Sequence, residues 1–345
     1  MELSKRLSIC IPTYNRSQYL EECLISVLET IGTHSDETEI IVGDNGATDD
    51  TPQLIARIQQ SHPEVRYQRR SENLGAECNI YTLVTEANGE FVWLLGDDDR
   101  LTTDAVASVF AAIDAGAEIA ICNFSIWSRD FASVKQPTRF PMRQDIQYRD
   151  HNAVLARFGI QVGFLSIICM KRSQFLLCPF EKFMQYAEYG LSFMYNVYHA
   201  ISSECRLTYL SEPLVQYRAD NSLMTPSTWN KIFITGSSIV LEDLKTLGYT
   251  TTAVSEARHR LLTDYVFTNL LWRTREGVGN RSMFRELLPL YRTDWFFWIA
   301  CVPTLIVPAF VVRLATAFTR GWRKLRRSQK LSVENTSNSL RSNDQ

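Results

Sequence analysis

Three consecutive acidic residues, Asp97, Asp98 and Asp99, follow an apolar run of the chain. Carboxylates crowded at the end of a buried strand repel one another and lose hydration, which costs several kcal/mol unless another group compensates. A divalent cation would compensate, and oxygen-only ligation suits Mg²⁺ or Mn²⁺, which also bind substrate phosphates. The triplet therefore predicts a metal site for a diphosphate-bearing substrate. The simpler alternative, a cap on the following helix, requires one acid and not three.

Two further polar clusters follow the first two predicted strands. Residues 13–16 come after the first strand, and Asp44 and Asn45 come after the second. Ligands of open α/β sheets bind where loops leave the carboxyl ends of the strands, so we expect both clusters to join the acidic triplet in one site. Each cluster alone is also compatible with an ordinary turn, in which Asn15 or Asp44 bonds to nearby backbone.

The sequence contains no glycine-rich phosphate loop. It has no G-x-x-x-x-G-K-[ST] motif, and no G-x-G-x-x-G motif follows a strand, which argues against a P-loop kinase and a dinucleotide enzyme. The metal would then neutralise most of the phosphate charge. Four arginines are candidate supplements, although a single arginine is often only a solvated surface charge. They are Arg16, Arg69, Arg70 and Arg218.

Short apolar runs alternate with helical periodicity through the first third of the chain, which predicts an α/β fold with a mostly parallel central sheet and flanking helices. The predicted strands are residues 7–11, 39–42, 65–68 and 91–95, and helices follow from Ser17, from Thr51 and over 76–87. A second half is predicted to contain a polar loop at 125–150, strands near 163–170 and 207–217, a helix near 188–200, and two or three helices between 228 and 291.

Composition sets the broad class of the protein. The 345 residues are 45% hydrophobic and 21% charged with a formal net charge of −2, so nothing predicts nucleic acid as a partner. The eight cysteines show no C-x-x-C pair or zinc-type spacing and are predicted to be reduced core thiols of a cytoplasmic protein. The chain starts without an apolar stretch suited to a signal peptide, which favours a cytoplasmic N-terminal domain.

Four segments occur in order at suitable spacing. They are LSICIPTYNR at 7–16, IVGDNGATD at 41–49, NLG at 73–75, and NGEFVWLLGDDD at 88–99. These segments resemble the family 2 inverting glycosyltransferases, whose fold is the Rossmann-like GT-A fold, and within them the abequosyltransferase-like enzymes of O-antigen assembly. The resemblance covers residues 5–125 well and 160–220 weakly.

The resemblance implies a role for each matching residue. Asp44 would contact the base or ribose of a nucleoside-diphosphate sugar, and Asp98 would match the metal-binding acid of the family's D-x-D motif. The first aspartate of that motif falls on Gly96 here, so either Asp97 and Asp99 form the metal-binding pair or Asp98 binds metal nearly alone. Further donor-site residues are implied at Pro12, Thr13, Tyr14, Asn15, Arg16, Asn73, Gly75, Asp97 and Arg218.

An inverting transfer requires a carboxylate that takes the proton from the acceptor hydroxyl. The resemblance places this base at the opening of a helix in the second half, where Glu188 matches a family glutamate but Tyr189 replaces the usual aspartate. Glu188 is therefore the predicted catalytic base. Asp98 is the second predicted catalytic residue, because it would bind the metal. The alternative is that Glu188 is only a favourable first-turn acid on a helix.

An uncharged block at residues 295–312 is followed by a basic cluster of six residues between 313 and 327. The block is long enough to be considered as a span, but Pro303 and Pro308 interrupt it, and a single span would place either the basic cluster or the catalytic half on the wrong side. We expect this segment to lie on the cytoplasmic leaflet beside anionic lipid and a polyprenyl-linked glycan acceptor. A buried or dimer-forming helical pair is the alternative.

The predicted organisation is a glycosyltransferase domain at 1–225, with a nucleotide-sugar-binding half at 1–125 and an acceptor half at 126–225. A helical extension at 226–293, a membrane-associating segment at 294–327 and a disordered tail at 328–345 follow. The leading hypothesis is a metal-assisted transferase of cell-surface polysaccharide synthesis. The departures at Gly96 and Tyr189 motivate a second hypothesis, a catalytically degenerate nucleotide-sugar-binding or scaffold protein at the membrane.

Overall fold

The apolar runs of the sequence form one mixed β-sheet. The computed structural model describes residues 5–203, 205–221, 225–276 and 281–306. The described strands are β1 (Leu7–Thr13), β2 (Thr38–Asp44), β3 (Val65–Arg69), β4 (Phe91–Leu94), β5 (Arg100–Leu101), β6 (Ile119–Trp127), β7 (Val134–Gln136), β8 (Ile146–Tyr148), β9 (Ile168–Lys171) and β10 (Leu207–Arg218). Their order is β3-β2-β1-β4-β9-β6-β10-β5, with β7 on β6 and β8 on β10.

Strand direction decides which loops share an edge of the sheet. β3, β2, β1 and β4 are mutually parallel, as predicted. β9 is antiparallel to both β4 and β6, and β10 is parallel to β6. The carboxyl ends of β1, β2, β4, β6 and β10 therefore lie at the same edge. The expectation of a mostly parallel sheet holds for the first half, while β5, β7, β8 and β9 make the whole sheet mixed.

Helices cover this sheet and continue beyond it. They are α1 (Ser17–Ile31), α2 (Thr51–Ser61), α3 (Ala76–Glu86), α4 (Ala105–Asp114), α5 (His151–Phe158), α6 (Arg172–Phe175), α7 (Phe180–Met184), α8 (Ser192–Ser203), α9 (Pro226–Asn230), α10 (Ser237–Asp243), α11 (Thr251–Leu261), α12 (Phe267–Arg275), α13 (Arg281–Tyr291) and α14 (Val302–Ile306). Because helices cover the sheet, β1, β2 and β4 are almost entirely buried, and most of their residues are apolar.

The core contains the cysteines that the sequence predicted to be there. All eight are free thiols, and seven of them are buried, while Cys78 is half-buried. The largest buried side chain of β4, Trp93, donates from Nε1 to the Ser166 carbonyl at 2.8 Å. This hydrogen bond connects β4 to residues 165–167, which directly precede β9.

A buried polar network positions the start of β4. The Glu39 carboxylate accepts from Ser8 Oγ at 2.5 Å and from both the backbone and side-chain nitrogens of Asn88. The Gly89 N–H donates to Ser8 Oγ at 2.8 Å. A Cβ at Gly89 would lie 2.6 Å from the Ser8 nitrogen, so only glycine fits this close approach. The Asn88-Gly89 turn is therefore a packing requirement of the sheet.

The second half differs from the sequence expectation in three places. The stretch predicted to be a polar loop, 125–150, contains the end of β6 and the short strands β7 and β8. Helix α8 begins at Ser192, so Glu188 lies in a separate 3₁₀ turn, Ala187–Tyr189. The first compact unit extends to Arg258, beyond the predicted boundary at 225. Tyr186 Oη donates to Asp243 at 2.6 Å and thereby holds α10 against the sheet unit.

The second compact unit runs from His259 to Gln345. Within its described part, the stretch 295–306 is helical and contains no charged residue. Phe297 and Cys301 are buried, whereas Trp295, Trp298 and Ile299 are exposed. No helix in the described ranges has both the length and the apolar character needed to cross a bilayer. The basic cluster and the predicted tail, residues 307–345, lie outside the described residues.

Candidate active site

A cleft of about 420 Å³ opens at the sheet edge where β1, β2 and β4 end. It is lined by Pro12, Thr13, Tyr14, Arg16, Asn45, Asn73, Gly75, Ala76, Asn79, Ile80, Gly96, Asp97, Asp98 and Leu165. This volume is within the range of about 300–1,000 Å³ typical of small-molecule sites. The structure thus brings eight of the predicted site residues to one cleft. They are Pro12, Thr13, Tyr14, Arg16, Asn73, Gly75, Asp97 and Asp98.

Asp97 and Asp98 reach this cleft, and Arg16 lies between them. Asp97 accepts from Thr13 Oγ1 at 2.7 Å and pairs with the Arg16 guanidinium at 3.3 Å. Asp98 Oδ2 accepts from Arg16 Nη2 and from Asn221 Nδ2 at 2.8 Å. Burial raises the pKa of Asp97 to about 6 despite the opposing charge of Arg16. Arg16 therefore joins the β1 loop to the β4 loop through two carboxylates.

Asp99 points into the protein and not into the cleft. One of its oxygens accepts from Ser166 Oγ and the other from the Arg218 backbone N–H at 3.2 Å. Burial, together with the neighbouring Asp98 charge, raises the pKa of Asp99 well above its usual range. Because both oxygens are already bonded inside the fold, the prediction that Asp99 lines the metal site is corrected: Asp99 holds the β4 loop against β10.

Protein groups offset part of the acidic charge that the sequence analysis assigned to a metal. Arg16 pairs with both cleft carboxylates and offsets one of their two charges, while Ser166 Oγ and the Arg218 backbone N–H donate to Asp99. The described residues contain no group of three or more His, Cys, Asp or Glu side chains arranged to hold a metal ion. The crowding of the triplet therefore does not by itself require a cation.

The residues at the cleft still fit a metal that binds one or two carboxylates. Within the described chain, Asp98 Oδ1 makes no hydrogen bond, and Asp97 lies next to it on the same cleft wall. Mg²⁺ and Mn²⁺ usually take one or two protein carboxylates and complete their shell with waters and substrate phosphate. The carboxylates that fit such an ion are therefore those of Asp98 and Asp97, and not that of Asp99.

Asp44 lies at the end of β2, but its side chain is fully buried. It accepts from the Ala47 N–H at 2.7 Å and from the Tyr67 hydroxyl, and it pairs with Arg69 at 3.5 Å. These bonds fold the β2 loop, as the turn alternative predicted, and Asp44 does not line the cleft. Its assignment to the base or ribose stays a prediction that would require this loop to rearrange.

Asn15 also stabilises a loop and does not line the cleft. Its backbone is left-handed, with φ of 54°. Its Oδ1 accepts from the Thr48 N–H at 2.7 Å, which ties the β1 loop to the β2 loop. Asp49 adds a second tie, because its carboxylate accepts from the Ser17 N–H at 2.9 Å.

The second wall of the cleft is built by asparagines and glycine. Asn45 Oδ1 accepts from the Leu74 N–H at 3.0 Å, and Asn45 Nδ2 donates to Asn73 Oδ1 at 2.8 Å. Asn73 Oδ1 also accepts from the Gly75 N–H at 2.9 Å. Gly75 has φ of 86°, a conformation that glycine adopts without strain, and it turns the chain into α3.

Sequence analysis missed the part of the cleft that α3 supplies. Ala76, Asn79 and Ile80 of α3 line the cleft, whereas the sequence analysis predicted only a helix over 76–87 and named no site residue in it. Asn79 Nδ2 donates to the Gly43 carbonyl at 2.7 Å, while its buried Oδ1 has no partner among the described residues. A polar residue on the otherwise apolar face of α3 was the available signal. Leu165 carried no such signal.

The other three predicted arginines make hydrogen bonds and ion pairs within the protein and do not line the cleft. Arg218 is buried, donates to the Asp98 carbonyl at 2.9 Å and to the Arg129 carbonyl at 2.6 Å, and pairs with Glu22 at 2.8 Å. Arg218 therefore stabilises the loop that contains residues 97–99 through its backbone and does not line the donor cleft. Arg69 donates to the Ala47 carbonyl, and Arg70 pairs with Glu86. Arg16 is the only one of the four that lines the cleft.

Glu188 lies on the surface of its 3₁₀ turn. Its side chain is 61% exposed and pairs with Lys231 Nζ at 3.4 Å. Glu188 is not among the residues that line the cleft. Its role as catalytic base stays a prediction.

Comparisons with known proteins agree with this geometry. The sequence model described as glycosyl transferase family 2 matches residues 8–175. Abequosyltransferase RfbV of Salmonella typhimurium is 33% identical over 227 residues, which cover 62% of this chain and 67% of that protein. A GalNAc(5)-diNAcBac-PP-undecaprenol beta-1,3-glucosyltransferase of Campylobacter jejuni is 30% identical over 112 residues, which cover 32% of this chain and 35% of that protein.

Solved structures show the same fold at low sequence identity. S. aureus TarS 1–349 in complex with UDP superposes with a TM-score of 0.56 at 15% identity, covering 80% of this chain and 79% of that one. Another crystal structure of S. aureus TarS 1–349 superposes with a TM-score of 0.55 at 16% identity, covering 76% of this chain and 73% of that one. With the fold, the cleft and the relatives in agreement, this chain belongs to glycosyl transferase family 2 and is a glycosyltransferase.

Proposed function

We propose that this chain transfers a sugar, with inversion, from a nucleoside-diphosphate sugar to a hydroxyl of a glycan or polyprenyl-linked glycan in cell-surface polysaccharide synthesis. The main observation in support is the cleft at the ends of β1, β2 and β4, where Arg16 lies beside Asp97 and Asp98. The name of the Salmonella relative supports transfer of a sugar, and that of the Campylobacter relative, which contains a PP-undecaprenol-linked glycan, supports a lipid-linked glycan acceptor. The UDP complex of TarS supports a nucleotide in the corresponding fold.

Arg16 is the cation available for the donor phosphates. Its side chain is 34% exposed and lines the cleft, so a phosphate can approach the guanidinium without unfolding the loop. Hydrogen bonds between a guanidinium and a phosphate are charge-assisted and stronger than neutral ones. Arg16 would thereby stabilise the charge that develops on the leaving diphosphate.

Asp98, with Asp97, is the proposed site for Mg²⁺ or Mn²⁺. When bound, such an ion would supply Lewis-acid stabilisation of the leaving diphosphate. The chain contributes by positioning Asp98: Asn221 and Arg16 donate to one carboxylate oxygen, and the other makes no hydrogen bond within the described residues. The catalytic base remains assigned to Glu188, whose exposed carboxylate would need the acceptor or a local movement to bring it to the cleft.

The test is donor turnover by the Asp98→Asn protein. This substitution keeps the shape of the side chain but removes its charge. We expect at least a 100-fold loss of metal-dependent nucleoside-diphosphate release, measured with a panel of nucleotide sugars and Mn²⁺, while the unfolding temperature changes little. Asp36→Asn, on an exposed loop, is the matched control. Full activity of Asp98→Asn would exclude the metal role.

One observation favours the scaffold hypothesis: Glu188, the predicted base, is exposed and is not among the residues that line the cleft. It predicts that the wild-type chain binds a nucleoside diphosphate, detected as a thermal shift, but releases no product with any donor and acceptor. Transfer or donor hydrolysis with a single nucleotide sugar would rule this hypothesis out.

Peripheral attachment to the cytoplasmic membrane leaflet is the second part of the proposal. The exposed side chains of the uncharged stretch 295–306 include Trp295, Trp298, Ile299 and Ile306, between 46% and 71% exposed. Their spacing places them on one side of a helical stretch, and tryptophan is favoured at membrane interfaces. Six basic residues follow in sequence between 313 and 327. They favour anionic lipid.

Vesicle sedimentation tests this attachment. Ile299→Glu should reduce co-sedimentation with vesicles of one-third phosphatidylglycerol by at least tenfold, because it places a charge in the apolar surface. Ile239→Glu is the matched control, since Ile239 is 38% exposed in the other compact unit. Equal binding of the two variants would contradict membrane attachment through this surface.

A further inference from the structure

Five side chains of the first compact unit form a row of contacts in which guanidinium groups and aromatic rings alternate. In order, they are Arg16, Tyr19, Arg218, Phe131 and Arg100. The Tyr19 ring centroid lies 5.3 Å from Cζ of Arg16 and 4.8 Å from Cζ of Arg218. The Phe131 centroid lies 4.2 Å from Cζ of Arg218 and 4.0 Å from Cζ of Arg100. All four distances are within about 6 Å, the range in which a ring attracts a cation.

Carboxylates allow three guanidinium groups to lie this close to one another. Glu22 pairs with Arg218 at 2.8 Å and also pairs with Arg100, while the two cleft carboxylates pair with Arg16. Arg218, at the centre of the row, is buried. Cation–π attraction is strongest for a desolvated cation, so the centre of the row is its most firmly held part.

Phe131 joins the row through a backbone conformation that is costly for an aromatic residue. Its φ is 56°, in the left-handed region where bulky side chains are rare. Hydrogen bonds of the turn enforce it: the Phe131 N–H donates to the Ser128 carbonyl at 2.9 Å, the Ala132 N–H to Asp130 at 3.1 Å, and the Ser133 N–H to Ser128 Oγ at 3.0 Å. Enforced strain of this kind is concentrated at functional sites. Here it buries a ring against two guanidinium groups.

Tyr19 connects this row to the donor cleft. It lies in the first turn of α1, three residues after Arg16, and its side chain is half-buried. Its hydroxyl accepts from Arg129 Nη2 at 2.9 Å, which orients the ring within the protein. Tyr19 is not among the residues that line the donor cleft. Any effect of Tyr19 on a ligand there must therefore pass through a neighbouring residue.

The ring holds Arg16 in a way that the carboxylates do not. Asp97 and Asp98 contact Arg16 through Nη1 and Nη2, the donors that a phosphate would also use. A phosphate therefore competes with these carboxylates. The Tyr19 ring attracts the delocalised charge of the guanidinium and consumes no N–H donor, so this contact can persist while the partners of the N–H groups change.

We infer that Tyr19 is a positioning residue for the transfer reaction: its ring holds the Arg16 guanidinium at the donor phosphates while phosphate oxygens replace the carboxylate partners. The inference rests on the proposed function, because it requires Arg16 to bind the donor phosphates. It adds a residue outside the cleft to the binding of the donor. Arg218 and Phe131 extend the same row to the loop after β6 and thereby anchor the Tyr19 ring.

The experiment removes the ring in the presence and in the absence of Arg16. Tyr19→Leu and Tyr19→Phe are made in the wild type and in Arg16→Met. Phe180→Leu is the matched control, because Phe180 is 39% exposed on α7 and its ring lies over no guanidinium within the described residues. Binding of UDP, CDP, GDP and ADP is measured by calorimetry in Mn²⁺, and binding of the corresponding nucleosides by saturation-transfer NMR. Unfolding temperatures are recorded for every variant.

Tyr19→Leu should bind the preferred nucleoside diphosphate about fivefold more weakly, equivalent to about 1 kcal/mol, while the affinity for its nucleoside stays that of the wild type. Tyr19→Phe should recover most of the lost affinity, because it keeps the ring. Phe180→Leu should bind like the wild type. In the Arg16→Met background, Tyr19→Leu should cause no further loss, since two residues that act as one unit are not additive.

Undiminished diphosphate affinity of Tyr19→Leu would overturn the inference. Equal losses from Tyr19→Leu in both backgrounds would overturn it as well, because the ring would then act on the fold and not through Arg16. If Arg16→Met weakens binding and Tyr19→Leu does not, the proposed phosphate site stands and the positioning role fails. Unchanged affinity of Arg16→Met would refute the proposed phosphate site itself, and the positioning role with it.

Discussion

Glu77 lies in the first turn of α3, close to the cleft wall that Ala76 forms. Its carboxyl is buried, and its partner is the backbone N–H of Ser192 at the start of α8. Oxygen Oε2 has no hydrogen-bond partner among the described residues. Burial raises the pKa of Glu77 from its ordinary value of 4.5 to about 7, against the opposing effect of the Ser192 N–H. Between pH 4.5 and about 7, the Glu77 carboxyl is therefore protonated in the folded protein and ionised in the unfolded chain.

The sign of the resulting pH dependence follows from linkage. Because the pKa in the folded protein is raised, the stabilisation is fully present below pH 4.5 and is lost as the pH rises through about 7. At about 1.4 kcal/mol for each pKa unit, the rise of the pKa from 4.5 to about 7 corresponds to a loss of unfolding free energy of at most about 3.5 kcal/mol. The favourable position of a carboxylate at a helix N-terminus makes this an upper bound.

Glu77→Gln removes the titration and keeps an acceptor for the Ser192 N–H. We expect its urea unfolding midpoint, relative to that of the wild type, to rise between pH 5 and pH 8, by the equivalent of up to about 3.5 kcal/mol. Glu72→Gln, at an exposed position just before α3, is the matched control and should show no such change. A constant difference between Glu77→Gln and the wild type across this pH range would refute the reasoning.

Further predictions concern the loops around the donor cleft. Gly89→Ala should lower the unfolding free energy by about 1–3 kcal/mol, seen as a reduced urea midpoint, because its Cβ would press on the Ser8 nitrogen; a neutral change would contradict the required close approach. Arg16→Met should weaken nucleoside-diphosphate binding about tenfold in calorimetry, and unchanged affinity would remove Arg16 from the phosphate site. Arg218→Met should destabilise the protein by about 3 kcal/mol in thermal unfolding, since it removes the buried guanidinium that pairs with Glu22 and donates to the Asp98 and Arg129 carbonyls. Arg57→Met, which removes one member of an exposed pair, should not.

The sequence alone determined the first strands of the sheet and more than half of the residues that line the donor cleft. Buried parallel strands require continuous apolar runs, so β1, β2 and β4 were visible, and the polar residues that follow them had to meet at one edge of the sheet. Eight predicted residues do line that cleft. The motifs also identified the family, because four segments at suitable spacing are specific.

Only the tertiary structure decided how each polar side chain is used. Adjacent residues of the acidic triplet point in different directions, so Asp98 reaches the cleft while Asp99 bonds to Ser166 across about seventy residues of sequence. Arg218 supports the loop from beneath through bonds to Asp98 and Glu22, which are more than a hundred residues away. Another cleft, lined by Tyr19, Arg129 and Arg218 among others, is formed by α1, the loop after β6 and the end of β10, and no local sequence pattern connects these segments. Periodicity reports which residues are buried, whereas partners and orientation depend on contacts between segments that are distant in the chain.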